Sequence, residues 1–184
     1  MINNVKKEIL QLLQSDDWNQ ILEELLCLPR HKVLNILFSA LYSIDEKVKN
    51  TAVKAMGIVV SDMALKDMEA ARNIMRRLMW TLNDESGGIG WGTPEAMGEI
   101  IAMSKEIAKE YLPILISYLP GNENFLEHEK LQQGLIRSIG RVAPVYHEIL
   151  KEVIPYLRLY LNSKEQDIQT LTIWVLSVLD KKNS

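Results

Sequence analysis

The sequence predicts an all-α superhelix, a solenoid of about five helical hairpins in a single domain spanning residues 1–184. Three observations predict this fold: a motif that recurs about every 40 residues, 47% hydrophobic residues with only two Phe, and Gly and Pro residues that cluster at a few places. Short strands would need turn residues far more often along the chain. Repeats of about 40 residues are instead typical of stacked helical hairpins.

The repeat is visible in four segments, which read VKNTAVKAMG (48–57), IGWGTPEAMG (89–98), LQQGLIRSIG (131–140) and IQTLTIWVLS (168–177). An apolar residue opens each segment, and Gly57, Gly98, Gly140 or Ser177 closes it. The closing residues are 41, 42 and 37 positions apart. We expect the three glycines to be buried at equivalent positions of second helices, where a missing side chain lets neighbouring helices approach closely.

The apolar periodicity predicts the individual elements in order. Helices are expected near 3–14, 17–28, 30–43, 45–64, 67–82, 93–109, 110–119, 127–143, 146–162 and 165–181. These helices pair into hairpins near 3–28, 30–64, 67–109, 110–143 and 146–181. The first hairpin is the least regular, so we expect it to cap the solenoid at its N-terminal end.

The paired helices, Pro113 and Pro155 at matching positions of two first helices, and the segment 45–52 (DEKVKNTA) that opens a second helix together resemble HEAT repeats. The resemblance covers residues 30–182. The segment 83–97 also resembles a group of bacterial HEAT-like proteins that are distantly related to the bilin lyases, the PBS-lyase HEAT-like class. The resemblance implies a solenoid that serves as a binding scaffold, and it implies little about any activity.

The charge and composition disfavour several classes of function. The net charge is −3, and 21 basic residues are scattered among 24 acidic ones, so we expect no binding to nucleic acid or to an anionic membrane. The longest apolar run, 170–179, is too short to span a membrane, and the N-terminus lacks the apolar core of a secretory signal. We therefore expect a cytoplasmic protein.

Neither a metal site nor a catalytic set can be read from the chemistry-bearing residues. Cys27 is the only cysteine, which excludes an internal disulfide and a thiolate-rich metal site. His31, His128 and His147 fall in different repeats, so they predict neither a helical histidine pair nor a catalytic triad. We expect no metal and no cofactor.

The Gly-rich loop 84–93 departs most from the repeat. Glycines stand at four positions of this loop where the preceding repeat has already begun its second helix, and Thr93, Pro94 and Glu95 then supply an N-cap and an acidic first turn. The loop could contact an anion or a partner, or it could be a long turn with its tryptophan packed on the core. The residues that would make such contacts are Asp84, Glu85, Ser86, Gly87, Gly88 and Trp91.

Glu95 and Glu99 are four residues apart, so they share one helix face and could bind a metal or act as an acid/base pair. The repeat register favours a different interpretation. Stacked second helices would place these carboxylates beside Arg137 and Arg141. We therefore predict a ladder of ion pairs between repeats.

Two hypotheses about function follow. The favoured one is a scaffold that binds another protein through the second-helix surface and the 84–93 loop. The alternative is a small-ligand-handling or lyase-like enzyme that uses Asp84, Glu85, Glu95 or Glu99 as acid/base groups and Trp91 as a stacking surface. A deep pocket beside Trp91 with a carboxylate of raised pKa would favour the enzyme, and a flat surface would favour the scaffold.

Overall fold

The computed structural model describes residues 2–82 and 90–181, and all of its regular secondary structure is helical. The α-helices are α1 (Ile2–Leu12), α2 (Trp18–Cys27), α3 (Arg30–Ala40), α4 (Glu46–Lys66), α5 (Met68–Leu82), α6 (Thr93–Met103), α7 (Lys105–Ser117), α8 (Glu129–Val142), α9 (His147–Leu150), α10 (Ile154–Leu159) and α11 (Gln166–Asp180). Two short 3-10 turns, Lys151–Val153 and Tyr160–Asn162, flank α10. The predicted all-α fold is confirmed.

The helices form two layers. The second helices α4, α6, α8 and α11 lie side by side and pack along their lengths, in that order. The first helices α3, α5 and α7 lie in the other layer, where α5 and α7 touch at only a few points. Because second helices pack more closely than first helices, the stack curves with the second helices on its inner side. The surface that α4, α6, α8 and α11 present on this side is called the inner face below.

Glycines set the close approach of the second helices. Gly57, Gly98 and Gly140 are all buried, as the repeat predicts. A Cβ added at Gly57 would lie 2.9 Å from Cβ of Glu99 on the next second helix, and one at Gly98 would lie 2.7 Å from Cβ of Ser138. Both separations are shorter than a normal carbon contact of about 3.5 Å. A side chain at either position would push two repeats apart.

Local sequence signals explain where the helices begin. Asp17 accepts a hydrogen bond from the backbone N–H of Gln20 at 3.1 Å at the start of α2. Asp45 caps α4, accepting from the backbone N–H groups of Lys47 at 2.9 Å and Val48 at 3.3 Å. Each carboxylate satisfies N–H groups that have no partner within their helix.

The predicted boundary between the third and fourth hairpins is wrong. The sequence predicted helices 93–109 and 110–119, but the chain breaks at Ser104, where α6 ends and α7 begins. Ser104 has an extended backbone (φ −128°, ψ 109°), and its hydroxyl accepts a hydrogen bond from the N–H of Ile107 at 3.4 Å. The hairpins are therefore 68–103 and 105–142 instead of 67–109 and 110–143.

Two smaller differences concern helix ends. Gly92, not Thr93, occupies the N-cap of α6, because the Thr93 hydroxyl lies 2.9 Å from the Thr81 hydroxyl at the end of α5. The predicted helix 146–162 is interrupted by the 3-10 turn before Ile154, next to Pro155, which has no N–H to donate.

Apolar side chains from all five helical pairs form the core, from Ile9 and Ile21 in the first pair to Leu179 in the last. Within the described part of the chain, no helix has the length and apolar character that a membrane span would need.

Candidate functional site

The candidate site is a groove on the inner face, over α6 and between α4 and α8. Glu95, Glu99 and Met103 follow one another at four-residue spacing, so they form one stripe along α6, and Trp91 lies in the turn just before this helix. These four residues form the floor of the groove. The groove contains two pockets. We name them the Trp91 pocket and the Trp18 pocket after their aromatic residues.

The Trp91 pocket lies over the first turns of α6 and has a volume of about 290 Å³. It is lined by Ser43, Ile44, Glu46, Lys49, Trp91, Glu95, Lys130, Gln133 and Arg137. The Trp18 pocket lies over the last turns of α6, has a volume of about 300 Å³ and is more open. It is lined by Trp18, Lys54, Ile58, Glu99, Met103 and Arg141.

The predicted ion pairs between α6 and α8 are present. Nε of Arg141 donates to Oε2 of Glu99 at 2.9 Å, and Nη1 of Arg137 lies 3.5 Å from Oε1 of Glu95. The acidic side chains are only 14% (Glu95) and 16% (Glu99) exposed, whereas Arg137 and Arg141 are 49% and 41% exposed. The guanidinium groups therefore cover the carboxylates and face the groove.

Glu95 occupies an unusual environment for a carboxylate. It packs against Gly134 of α8, where an added Cβ would collide with the carboxyl group. Oε2 is buried and has no hydrogen-bond partner in the described part of the chain. Burial raises the pKa of Glu95, and the nearby charges of Arg137 and Lys49 lower that pKa only in part.

Trp91 contacts both the core and the pocket. Its ring is half-buried and packs against the core, and it also lines the pocket. The ring centroid lies 4.8 Å from that of His128, with the two planes tilted by 59°. Nζ of Lys130 lies 5.3 Å from the same ring centroid, within the range of a cation–π contact.

The structure brings Trp91, Glu95, Glu99, Arg137 and Arg141 together around this groove. Their role in binding stays a prediction. The other predicted contact residues, Asp84, Glu85, Ser86, Gly87 and Gly88, lie outside the described residues.

The sequence analysis missed the lysines of the groove and Trp18. Lys54 occupies the repeat position of Glu95 and Arg137, so the register contained a signal for it. The structure places Lys54 one turn further along, in the pocket of Glu99. Trp18 has no counterpart in the repeat, because it begins α2 in the irregular first hairpin.

Residues 2–82 and 90–181 contain no group of three or more His, Cys, Asp or Glu side chains placed to hold a metal ion. The hydroxyl of Ser43 in the Trp91 pocket accepts a hydrogen bond from the backbone N–H of Asp45 at 3.1 Å, so it closes the turn before α4. The groove presents charged side chains and two aromatic rings.

Comparison with known proteins supports the fold. No protein-family model and no curated protein sequence matches this chain. Two engineered proteins from the Northeast Structural Genomics Consortium are each 18% identical to it and superpose with a TM-score of 0.50. The first alignment covers 95% of this chain and 78% of the engineered protein, and the second covers 94% and 80%.

A computationally designed armadillo repeat protein for modular peptide recognition is 14% identical, with a TM-score of 0.49 over 96% of this chain and 92% of its own. Likeness at such low identity concerns the fold alone. The architecture described above is that of an all-α helical-repeat solenoid, and the two engineered proteins with a TM-score of 0.50 are similar to it in fold.

Proposed function

We propose that this chain is a protein-binding scaffold, a HEAT-like domain spanning residues 1–184 that holds a partner protein on its inner face. The observation that carries the proposal is the open groove over α6, to which three second helices contribute charged side chains and to which Trp18 and Trp91 contribute aromatic rings. Stacked repeats produce extended surfaces of this kind, and loops on rigid scaffolds contribute to binding. Trp91, in the described part of the Gly-rich loop 84–93, lines this groove.

The arrangement of charges supports binding more than catalysis. Each pocket has room for one or two side chains of a partner, and the ion pairs to Glu95 and Glu99 hold Arg137 and Arg141 in place before a partner arrives. Positioning the arginines in advance reduces the entropy that binding must overcome. Tryptophan and arginine, which both line this groove, are among the residue types that contribute most at protein interfaces.

Site-specific photocrosslinking in cells tests the proposal. A photoreactive residue replaces Lys54, which is exposed on the inner face, or Lys109, which is exposed on α7 in the other layer. We expect the residue at position 54 to crosslink one defined protein that mass spectrometry identifies, and the control at position 109 to capture none of it. Crosslinks to the same protein from position 109 alone, or none from either position, would contradict the proposal.

One observation favours a second candidate, the handling of a small ligand in the Trp91 pocket. Glu95 is a buried carboxylate of raised pKa beside an aromatic ring, a combination found at functional sites. This candidate predicts a small molecule that co-purifies with the wild-type protein, is released on denaturation and is lost in Trp91→Ala. The scaffold predicts that denatured protein releases no such molecule.

A further inference from the structure

Most of the exposed charges of the groove are opposite in sign to the net charge of the chain. The chain carries a formal charge of −3. In the groove, however, Glu95 and Glu99 are mostly buried, while Arg137 and Arg141 are about half exposed. Glu46 also lines the Trp91 pocket and is exposed, but its carboxylate is paired with Nζ of Lys49 at 2.6 Å. A molecule that approaches the groove therefore meets more exposed cations than exposed carboxylates.

The arginines retain donors for a partner. A guanidinium has five N–H groups in a planar fork. Arg141 uses Nε for Glu99, and Arg137 uses Nη1 for a long contact of 3.5 Å with Glu95. Within the described part of the chain, their remaining N–H groups donate to no protein acceptor. Such groups are suited to a carboxylate, which a guanidinium can bind through two parallel hydrogen bonds.

Each pocket adds a lysine to its arginine. Lys130 and Arg137 both line the Trp91 pocket, and Lys54 and Arg141 both line the Trp18 pocket. Neither lysine has a carboxylate within salt-bridge distance among residues 6–82 and 90–181. Each pocket therefore presents a lysine and an arginine to an incoming anion.

The two arginines have a defined spacing. Arg137 and Arg141 are four residues apart on α8, a separation of about 6 Å along the helix axis. Alternate residues of an extended peptide point to the same side and are about 6.5–7 Å apart. A peptide with carboxylates at alternate positions matches this spacing.

We propose that the groove recognises an extended acidic segment of the partner protein. One carboxylate binds Arg137 in the pocket that Lys130 also lines, and the carboxylate two residues further along binds Arg141 in the pocket that Lys54 also lines. Trp91 and Trp18 flank the two ends of the segment. This inference rests on the proposed scaffold function and specifies the chemistry of the partner.

Binding of a labelled peptide tests the inference. The probe is a peptide of alternating glutamate and serine, about twelve residues long, and the same peptide with lysine in place of glutamate is the control. Fluorescence anisotropy should show saturable binding of the acidic peptide and none of the basic one. Binding should weaken as salt rises from about 50 mM to 500 mM, because the contacting charges are exposed.

A double variant locates the binding. Lys54→Gln with Lys130→Gln removes two cations that have no described carboxylate partner, so the fold should be retained. We expect acidic-peptide binding to weaken about tenfold. The matched control, Lys105→Gln with Lys109→Gln on α7, changes the net charge equally and should bind like the wild type.

Equal weakening by both double variants, or no binding of the acidic peptide, would overturn the inference. Preferential binding of a single-stranded oligonucleotide over the acidic peptide would also overturn it. If position 54 still crosslinks a defined protein while the acidic peptide fails to bind, the proposed scaffold function is retained and only the proposed preference for an acidic segment is wrong.

Discussion

The replacement Gly98→Ala should destabilise the protein although alanine favours helix. The added Cβ would lie 2.7 Å from Cβ and 2.9 Å from Cα of Ser138, and a backbone atom cannot turn away as a side-chain end can. To restore a normal carbon contact, α6 and α8 must separate locally by about 0.8 Å. This separation would also weaken the hydrogen bond from the Ser138 hydroxyl to the carbonyl of Pro94, now 2.5 Å.

The magnitude follows from three contributions. Overpacking a close contact costs about 1–3 kcal/mol, and weakening one buried hydrogen bond costs about 1 kcal/mol. Replacing Gly by Ala within a helix returns about 1 kcal/mol. The net loss for Gly98→Ala should therefore be about 2 kcal/mol, a decrease in Tm of roughly 4–8 °C for a chain of this length.

Gly134→Ala on α8 is the matched control. Its added Cβ would meet the carboxyl group of Glu95, the end of a flexible side chain that can turn towards Arg137. The helix preference of alanine should then keep the variant within about 1 kcal/mol of the wild type. Urea denaturation followed by circular dichroism measures both variants. A Gly98→Ala variant as stable as Gly134→Ala would refute the close packing of second helices.

Three further predictions concern the groove. Burial raises the pKa of Glu95 in the folded state, so this residue reduces stability at pH values above the ordinary pKa of a carboxyl group. Glu95→Gln should therefore raise Tm at about pH 8 and have little effect at about pH 4. A Glu95→Gln variant with a lower Tm than the wild type at about pH 8 would contradict this prediction. A double-mutant cycle on Glu99→Ala and Arg141→Ala should give a coupling energy of about 0.5–1 kcal/mol in the free energy of unfolding. A coupling energy of zero would show that this ion pair does not stabilise the fold. Trp91→Ala should cost about 2 kcal/mol of stability, because the Trp91 ring is half-buried. The same variant should weaken binding of the crosslinked partner at least tenfold. A Trp91→Ala variant that binds the partner normally would show that Trp91 does not contribute to the interface.

The repeat register predicted much of the fold. The spacing of Gly57, Gly98 and Gly140 indicated which helices stack and which faces meet, because only a residue without a side chain fits between helices this close. The register did not reveal the break at Ser104. The apolar pattern continues through this position from Ile101 to Ile107, and a single serine cap outweighed the pattern.

The candidate site was predictable only in part. Matching positions in successive repeats predicted the pairing of Glu95 with Arg137 and of Glu99 with Arg141. Which member of each pair is buried depends on packing between helices that are distant in sequence, and so does the pKa of Glu95. Trp18 joined the site through the irregular first hairpin, to which no repeat register applies.

Oxidative footprinting of the complex with the crosslinked partner tests most directly the claim that the inner face is the binding surface. Met103 lines the Trp18 pocket and is 44% exposed, whereas Trp80 on α5 is 79% exposed and lies in the other layer. The partner should slow hydroxyl-radical oxidation of Met103 severalfold and leave the oxidation rate of Trp80 unchanged. Protection of Trp80 with Met103 oxidised at the rate of the free protein would contradict the account.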